Sequence, residues 1–257
     1  MRELYGVLFF FIKKIRLHVN KDGIFEIALF PIPGSVSFPQ TIVPLHVFEP
    51  RYRQMVQDCV REKRLLGVCH TKSIERFATR QKNQVKTREE LFQLYKQNLT
   101  TYSPEDVFSA GPVSIVEETV DGRYLIHVHM LKRYRIININ QSTPYKVAHC
   151  QEYLDFDQVD FESLTPKLTQ QKTYIIDFLR AQLAQLTTQT ELFTAKKQLA
   201  DLIEEQSVND FTFKLFRFFR MPENSMQEIL NLQNPIERLN QLYDFIQKFK
   251  NGVEQNY

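Results

Sequence analysis

Apolar and polar residues change their period along the 257-residue chain, and the change divides it. From Ile24 to Phe30, Ile24, Glu26 and Ala28 alternate with Phe25, Ile27 and Leu29 after the turn-forming Asn20-Lys21-Asp22-Gly23, which predicts a short strand. A second strand is predicted from about Thr41 to Val47, and the apolar run Leu65 to His70, bounded by charge, reads as a buried strand. Val107 to Val120 resumes strand character, and Asp121-Gly122 marks a hairpin because glycine tolerates the positive φ of the turn. On the returning strand Tyr124, Ile126, Val128 and Met130 share one face, with Leu125, His127, His129 and Leu131 on the other. Arg133-Tyr134-Arg135-Ile136-Ile137 continues it or bends past a bulge, and Tyr145 to Tyr153 is the last strand, entered through Pro144. About six strands with tight turns describe a barrel, not the alternating strands and helices of a doubly wound sheet.

The acidic run Asp155 to Glu162 reads as a linker, and beyond it the apolar spacing is helical. Helices are predicted over Lys172 to Leu186, Leu192 to Ile203, Asp210 to Arg220 and Ser225 to Leu232. A last one starts at Asn234-Pro235-Ile236-Glu237, with asparagine as cap, proline in the first turn and a capping-box glutamate. The expected class is therefore α+β, with an extension over 1–23, a barrel over 24–154 and a helical subdomain over 155–257.

Between the first two strands, Pro31, Pro33, Pro39 and Pro44 force kinks or edge positions. Pro50 differs, because Tyr52, Met55, Val56 and Cys59 follow at helical spacing and place it at the first helical position. Phe30-Pro31-Ile32-Pro33, Phe38-Pro39 and Pro44-Leu45-His46-Val47-Phe48-Glu49-Pro50-Arg51-Tyr52 resemble the opening of the Lon protease amino-terminal domain family. The likeness continues through Gly111 to Ile115, Asp121-Gly122-Arg123-Tyr124, Leu131 to Ile136 and Pro144-Tyr145-Lys146-Val147, and covers roughly Ile24 to Lys250. The resemblance implies a PUA-like small β-barrel followed by helices, used in Lon to engage protein substrates.

Thr71 to Arg88 carries Lys72, Arg76, Arg80, Lys82, Lys86 and Arg88 against the single acid Glu75, and reads as an exposed basic loop. Thr87-Arg88-Glu89-Glu90 then resembles a capping box opening a short helix that ends near Asn98. The resembled family usually has a shorter segment here. The N-terminal run Leu4 to Ile12 is too short for a membrane span, and its cations lie on the wrong side for an export signal. It is expected to be a packed or frayed extension, with weak membrane contact or an early start codon as the alternatives.

Composition narrows the chemistry. A net charge of +3 does not demand a nucleic-acid partner, and the 7 glycines leave no GxxxxGK[ST] phosphate loop. Cys59, Cys69 and Cys150 have no CxxC spacing, which fits a reducing cytoplasm and neither a disulfide framework nor a zinc knuckle. No GxSxG elbow is present, and the resemblance to Lon then implies the recognition part alone, expected to be non-enzymatic and without cofactor or metal. His127 and His129 share a strand face but lack matching ligands, and His46 is expected as a structural histidine.

Three sets of residues carry candidate functions. Glu49, Arg51, Arg133 and Arg135 form either a recognition patch or a structural charge set in which Glu49 holds helix to barrel. Phe213, Phe216 and Phe219 sit on a helix apolar around most of its circumference, either buried between layers or exposed to grip polypeptide. Lys82, Lys86 and Arg88 give the alternative of an RNA-binding PUA-like module, although Phe77 is the lone aromatic available there for stacking. The leading expectation is a module that binds unfolded or exposed apolar polypeptide, as an adaptor or regulator of a separately encoded protease.

Overall fold

The computed structural model describes residues 23–76, 100–185 and 189–254. The chain forms two compact units. One comprises residues up to 37 and 42–153; the other comprises 38–41 and the chain from 154 onward.

Among the described residues the first unit holds ten strands and one helix. These are β1 (Phe25–Pro31), β2 (Ile42–Val47), α1 (Pro50–Glu62), β3 (Leu65–Cys69), β4 (Thr71–Arg76), β5 (Thr101–Pro104), β6 (Val107–Gly111), β7 (Val113–Glu118), β8 (Tyr124–His129), β9 (Lys132–Gln141) and β10 (Lys146–Glu152). Strands β1-β10-β9-β6-β3 close a five-stranded barrel in which the last pair, β3 with β1, is parallel. A three-stranded sheet runs β2-β8-β7, and β4 pairs with β5.

Alternation along β1 and β3 explains why both strands are so apolar. Ile27, Leu29, Leu65 and Cys69 join Phe108, Ala110, Tyr134, Ala148 and Cys150 in a cluster fed by all five barrel strands, the barrel interior. Their sequence neighbours Ala28, Phe30, Leu66 and Val68 face outward, where α1 and the three-stranded sheet cover them with Tyr52, Met55, Val56, Tyr124, Ile126 and Val128. Gly67 alternates with Leu65 and Cys69, so a Cβ there would run into the Phe108 ring. The helix α1 begins with Pro50 in its first turn and ends at Lys63 in a left-handed cap with φ of 55°. Pro112 separates β6 in the barrel from β7 in the smaller sheet, and Gly122, at φ of 74°, turns the hairpin into β8.

Part of the expected basic loop is a strand. Thr71–Arg76 pairs with Thr101–Pro104, a long-range partner that local polarity could not reveal. Lys72 is paired with Asp106 at 2.6 Å and Glu75 with Lys146 at 2.8 Å. The expected helix after Thr87, and Lys82, Lys86 and Arg88, lie outside the described residues, as does the extension up to residue 22.

The second unit contains α2 (Pro166–Leu183), α3 (Gln189–Glu204), α4 (Val208–Lys214), α5 (Glu223–Asn231) and α6 (Pro235–Glu254). The Asn234 side chain accepts from the backbone N–H groups of Ile236 and Glu237 at 3.0 and 3.2 Å, capping α6 as its sequence requires. No helix among the described residues is long and apolar enough to cross a membrane.

Candidate functional site

The aromatic helix is core. Phe213 and Phe216 are 5% and 4% exposed, so of the two readings burial holds for both, and the polypeptide-gripping role weighed for them is corrected. Their cover comes from Phe38, whose ring stacks on Phe216 at 3.5 Å between centroids and lies 6.3 Å from Phe213. The other side of Phe213 receives the Arg238 guanidinium at 4.0 Å. The helix also stops early, at Lys214, and a 3-10 turn over Leu215–Arg217 turns the remaining rings. Phe219 is half-buried between Phe216 and Phe245, with centroids 5.7 and 6.0 Å away.

The four-residue charge set divides into one ion pair and two arginines that share a tyrosine ring. Arg51 donates to Glu49 at 2.9 Å and to the Thr100 carbonyl at 3.0 Å, so the tie from helix start to β5 runs through Arg51, and Glu49 orients it. Arg133 and Arg135 both lie against the Tyr153 ring, at 5.0 and 4.3 Å. Arg133 is 4% exposed and belongs to the packing of β9.

An exposed surface with recognition chemistry remains on the three-stranded sheet. Cross-strand pairing sets Ile42 opposite His129, Pro44 opposite His127 and His46 opposite Leu125, all on one face. The other face carries Val47, Tyr124, Ile126 and Val128 into the core, with Val43 and Leu45 packed against it. On the outward face Pro44 and His46 are exposed and Ile42 is 45% exposed. Phe48, just past β2, is 58% exposed, with its ring 6.2 Å from that of His46. The structural histidine expected at position 46 is thus a surface residue.

His127 and His129 have ring centroids 6.4 Å apart, and Ser114 bonds the His129 ring at 3.2 Å. Burial, reinforced by His127, lowers the His129 pKa below the ordinary imidazole value. Among the described residues no group of three or more His, Cys, Asp or Glu is arranged to hold a metal ion. Ile42, Pro44, His46, Phe48, Leu125, His127 and His129 include no carboxylate, ammonium or guanidinium group, but Glu117 of β7, paired opposite Leu125, brings an exposed carboxylate to the same face. In the sheet β2 is an end strand, so its outer backbone edge has no described strand beside it. The period-two pattern of β2 signalled this face; its pairing with β8, which assembles it, did not show in local sequence.

A barrel with a three-stranded flap and a helical second unit is an architecture seen before. Residues 26–248 match the ATP-dependent protease La (LON) substrate-binding domain, and the chain belongs to that family. Lon protease of Anaeromyxobacter dehalogenans is 25% identical over 237 residues, covering 85% of this chain and 25% of the relative. Lon protease 2 of Myxococcus xanthus is 24% identical over 237 residues, covering 85% of this chain and 26% of its own length. The chain thus spans about a quarter of these relatives, and 12% of Lon protease 1 of Herpetosiphon aurantiacus. Among solved structures, a Lon N-terminal domain protein from Xanthomonas campestris aligns with TM-score 0.52 at 18% identity, covering 84% of this chain and 96% of its own. The N-terminal domain of Mycobacterium avium complex Lon protease aligns with TM-score 0.56 at 11% identity, covering 86% and 98%. At those identities the likeness is one of fold.

Proposed function

We propose that this chain is a non-catalytic, cytoplasmic polypeptide-binding module that takes unfolded or exposed apolar segments and serves as an adaptor or regulator of a separately encoded protease. Membership in a family described by substrate binding sets the class. The observation that carries the reading is the outward face of β2 and β8, where Ile42 and Phe48 stand 45% and 58% exposed beside β2, an end strand among the described residues. Apolar side chains of an extended segment lose water against Ile42, Phe48 and Leu125, while the imidazoles offer hydrogen bonds and Glu117, exposed opposite Leu125 on β7, adds a carboxylate beside them. Pro44 removes one backbone donor from this edge, so side-chain contacts carry more of the binding than ladder hydrogen bonds do.

The test is capture of a reduced, alkylated model protein by the wild type and by Ile42→Ser and Phe48→Ser. Both positions are surface, so thermal stability should hold while capture weakens. Undiminished capture by the double variant would move the site elsewhere, and cleavage or ATP hydrolysis by the purified chain would refute the non-catalytic part. Loss of binding to RNA, not to protein, on changing Lys82, Lys86 and Arg88 to Ala would favour the nucleic-acid alternative.

A further inference from the structure

The stretch between the units, expected as a linker, is a fastened strap within the second unit. Asp155 points inward, its carboxylate gripped by Arg238 at 2.7 and 3.0 Å and by the Asn209 amide at 2.6 Å. On either side the backbone is held: the Gln233 amide donates to the Leu154 carbonyl at 2.6 Å, and the Phe156 N–H donates to the Gln233 carbonyl at 2.9 Å. Further along, Asn209 accepts from the Val159 N–H at 3.0 Å and donates to the Asp157 carbonyl at 2.9 Å, and Phe161 is anchored in the core. With Asp155 turned in, the alternation of an extended segment turns Leu154 and Phe156 out, 59% and 74% exposed. A phenylalanine held in water by a backbone this well tied is a fixed display, since ordinary collapse cannot remove it. Asp157, Asp160 and Glu162 beside it are exposed, and no described cation forms an ion pair with them.

Resting on the polypeptide-binding reading, we infer that Leu154 and Phe156 are a second anchor point, whose acidic flank selects apolar segments that also carry lysine or arginine. The apolar pair supplies contact area already ordered before binding, which lowers the entropic cost of association. The three carboxylates complement a cationic segment and repel an acidic one, so charge decides among segments of equal hydrophobicity.

The experiment uses the full chain and fluorescein-labelled peptides that alternate Leu and Phe with Lys, or with Glu, followed by anisotropy, with sedimentation and thermal melting as controls. The lysine peptide should bind the wild type more tightly than the glutamate peptide. Leu154→Ser with Phe156→Ser should weaken it about ten-fold without lowering the melting temperature. Asp157→Asn, Asp160→Asn and Glu162→Gln together should abolish the preference for lysine over glutamate. Unchanged lysine-peptide binding in the first variant, or an unchanged preference in the second, overturns the inference. So does sedimentation showing that the pair instead joins two copies of this chain. If the wild type still captures the alkylated model protein, only the strap proposal falls; if it captures neither protein nor peptide, the polypeptide-binding reading falls with it.

Discussion

Asp155 and Arg238 form a two-pronged ion pair in which the side chains are 4% and 0% exposed. Arg238 also donates to the Thr212 hydroxyl at 2.8 Å and the Leu232 carbonyl at 2.9 Å, so four of its five N–H donors are bonded. Removing one partner strands the other. Arg238→Ala and Asp155→Ala should each cost about 3 to 5 kcal/mol, measured by urea denaturation. A double variant, Asp155→Leu with Arg238→Met, should lose less than the sum of the single changes. Additive losses would show that the two residues act independently.

Phe38 and Phe216 should behave as one packing unit. Phe216→Ala is expected to cost about 3 to 5 kcal/mol, because a large ring is removed from a site that is 4% exposed. Phe38→Ala should be comparable, and the double change should fall short of additivity by about 0.5 to 1.5 kcal/mol for the stacked pair. Equilibrium unfolding of the three variants measures this. A Phe216→Ala protein as stable as wild type would mean that the ring is not core.

Arg51 should matter more to α1 than Glu49. Arg51→Ala removes the bond to the Thr100 carbonyl as well as the pair, whereas Glu49→Gln keeps a hydrogen-bonding oxygen for Arg51. The expected losses are about 1 to 2 kcal/mol for Arg51→Ala and under about 1 for Glu49→Gln, compared by thermal melting. The reverse order would place the tether on Glu49.

Stability in acid should depend on Lys214. It bonds Glu205 at 2.7 Å and Asp201 at 3.2 Å, and Arg217 bonds Asp201 at 2.6 Å. Burial pushes both carboxyl pKa values up, but the bonds from the cations outweigh it and the net shifts are downward. An unfolded chain therefore takes up these protons at a higher pH than the folded one. Their stabilisation is present above the unfolded values of about 3.9 for Asp and 4.3 for Glu, and is lost as pH falls through the folded values. Asp210, raised by burial and then by Glu205, opposes this in part. Lys214→Met should lower the melting temperature at neutral pH and flatten its decline below about pH 4. An unchanged acid limb would remove Lys214 from that role.

Local chemistry was legible wherever one residue's needs decide a turn or a helix start. Pro50, Asp121-Gly122 and the Asn234-Pro235 cap mark their elements because proline, positive φ and orphan N–H groups act within a few residues. The period-two burial of Tyr124, Ile126 and Val128 was equally plain. The parallel pairing of β1 with β3 was not, since a strand buried on both faces announces its apolarity but not its neighbour. Arg238 was missed because its partner Asp155 lies far away in an acidic run that reads as a linker. Phe213 and Phe216 were open to either reading because the ring that covers them, Phe38, comes from the proline-rich stretch near the opposite end of the chain. Helix periodicity reports how much surface is apolar and leaves open what covers it.

Calorimetric titration of an alkylated, unfolded model protein into this chain at several temperatures tests the polypeptide-binding claim most directly. Burying apolar surface gives a negative heat-capacity change. The account predicts such a change, persisting at high salt, and reduced in the Ile42→Ser and Phe48→Ser variants. Absence of binding, or binding with no heat-capacity change that salt abolishes, would contradict it.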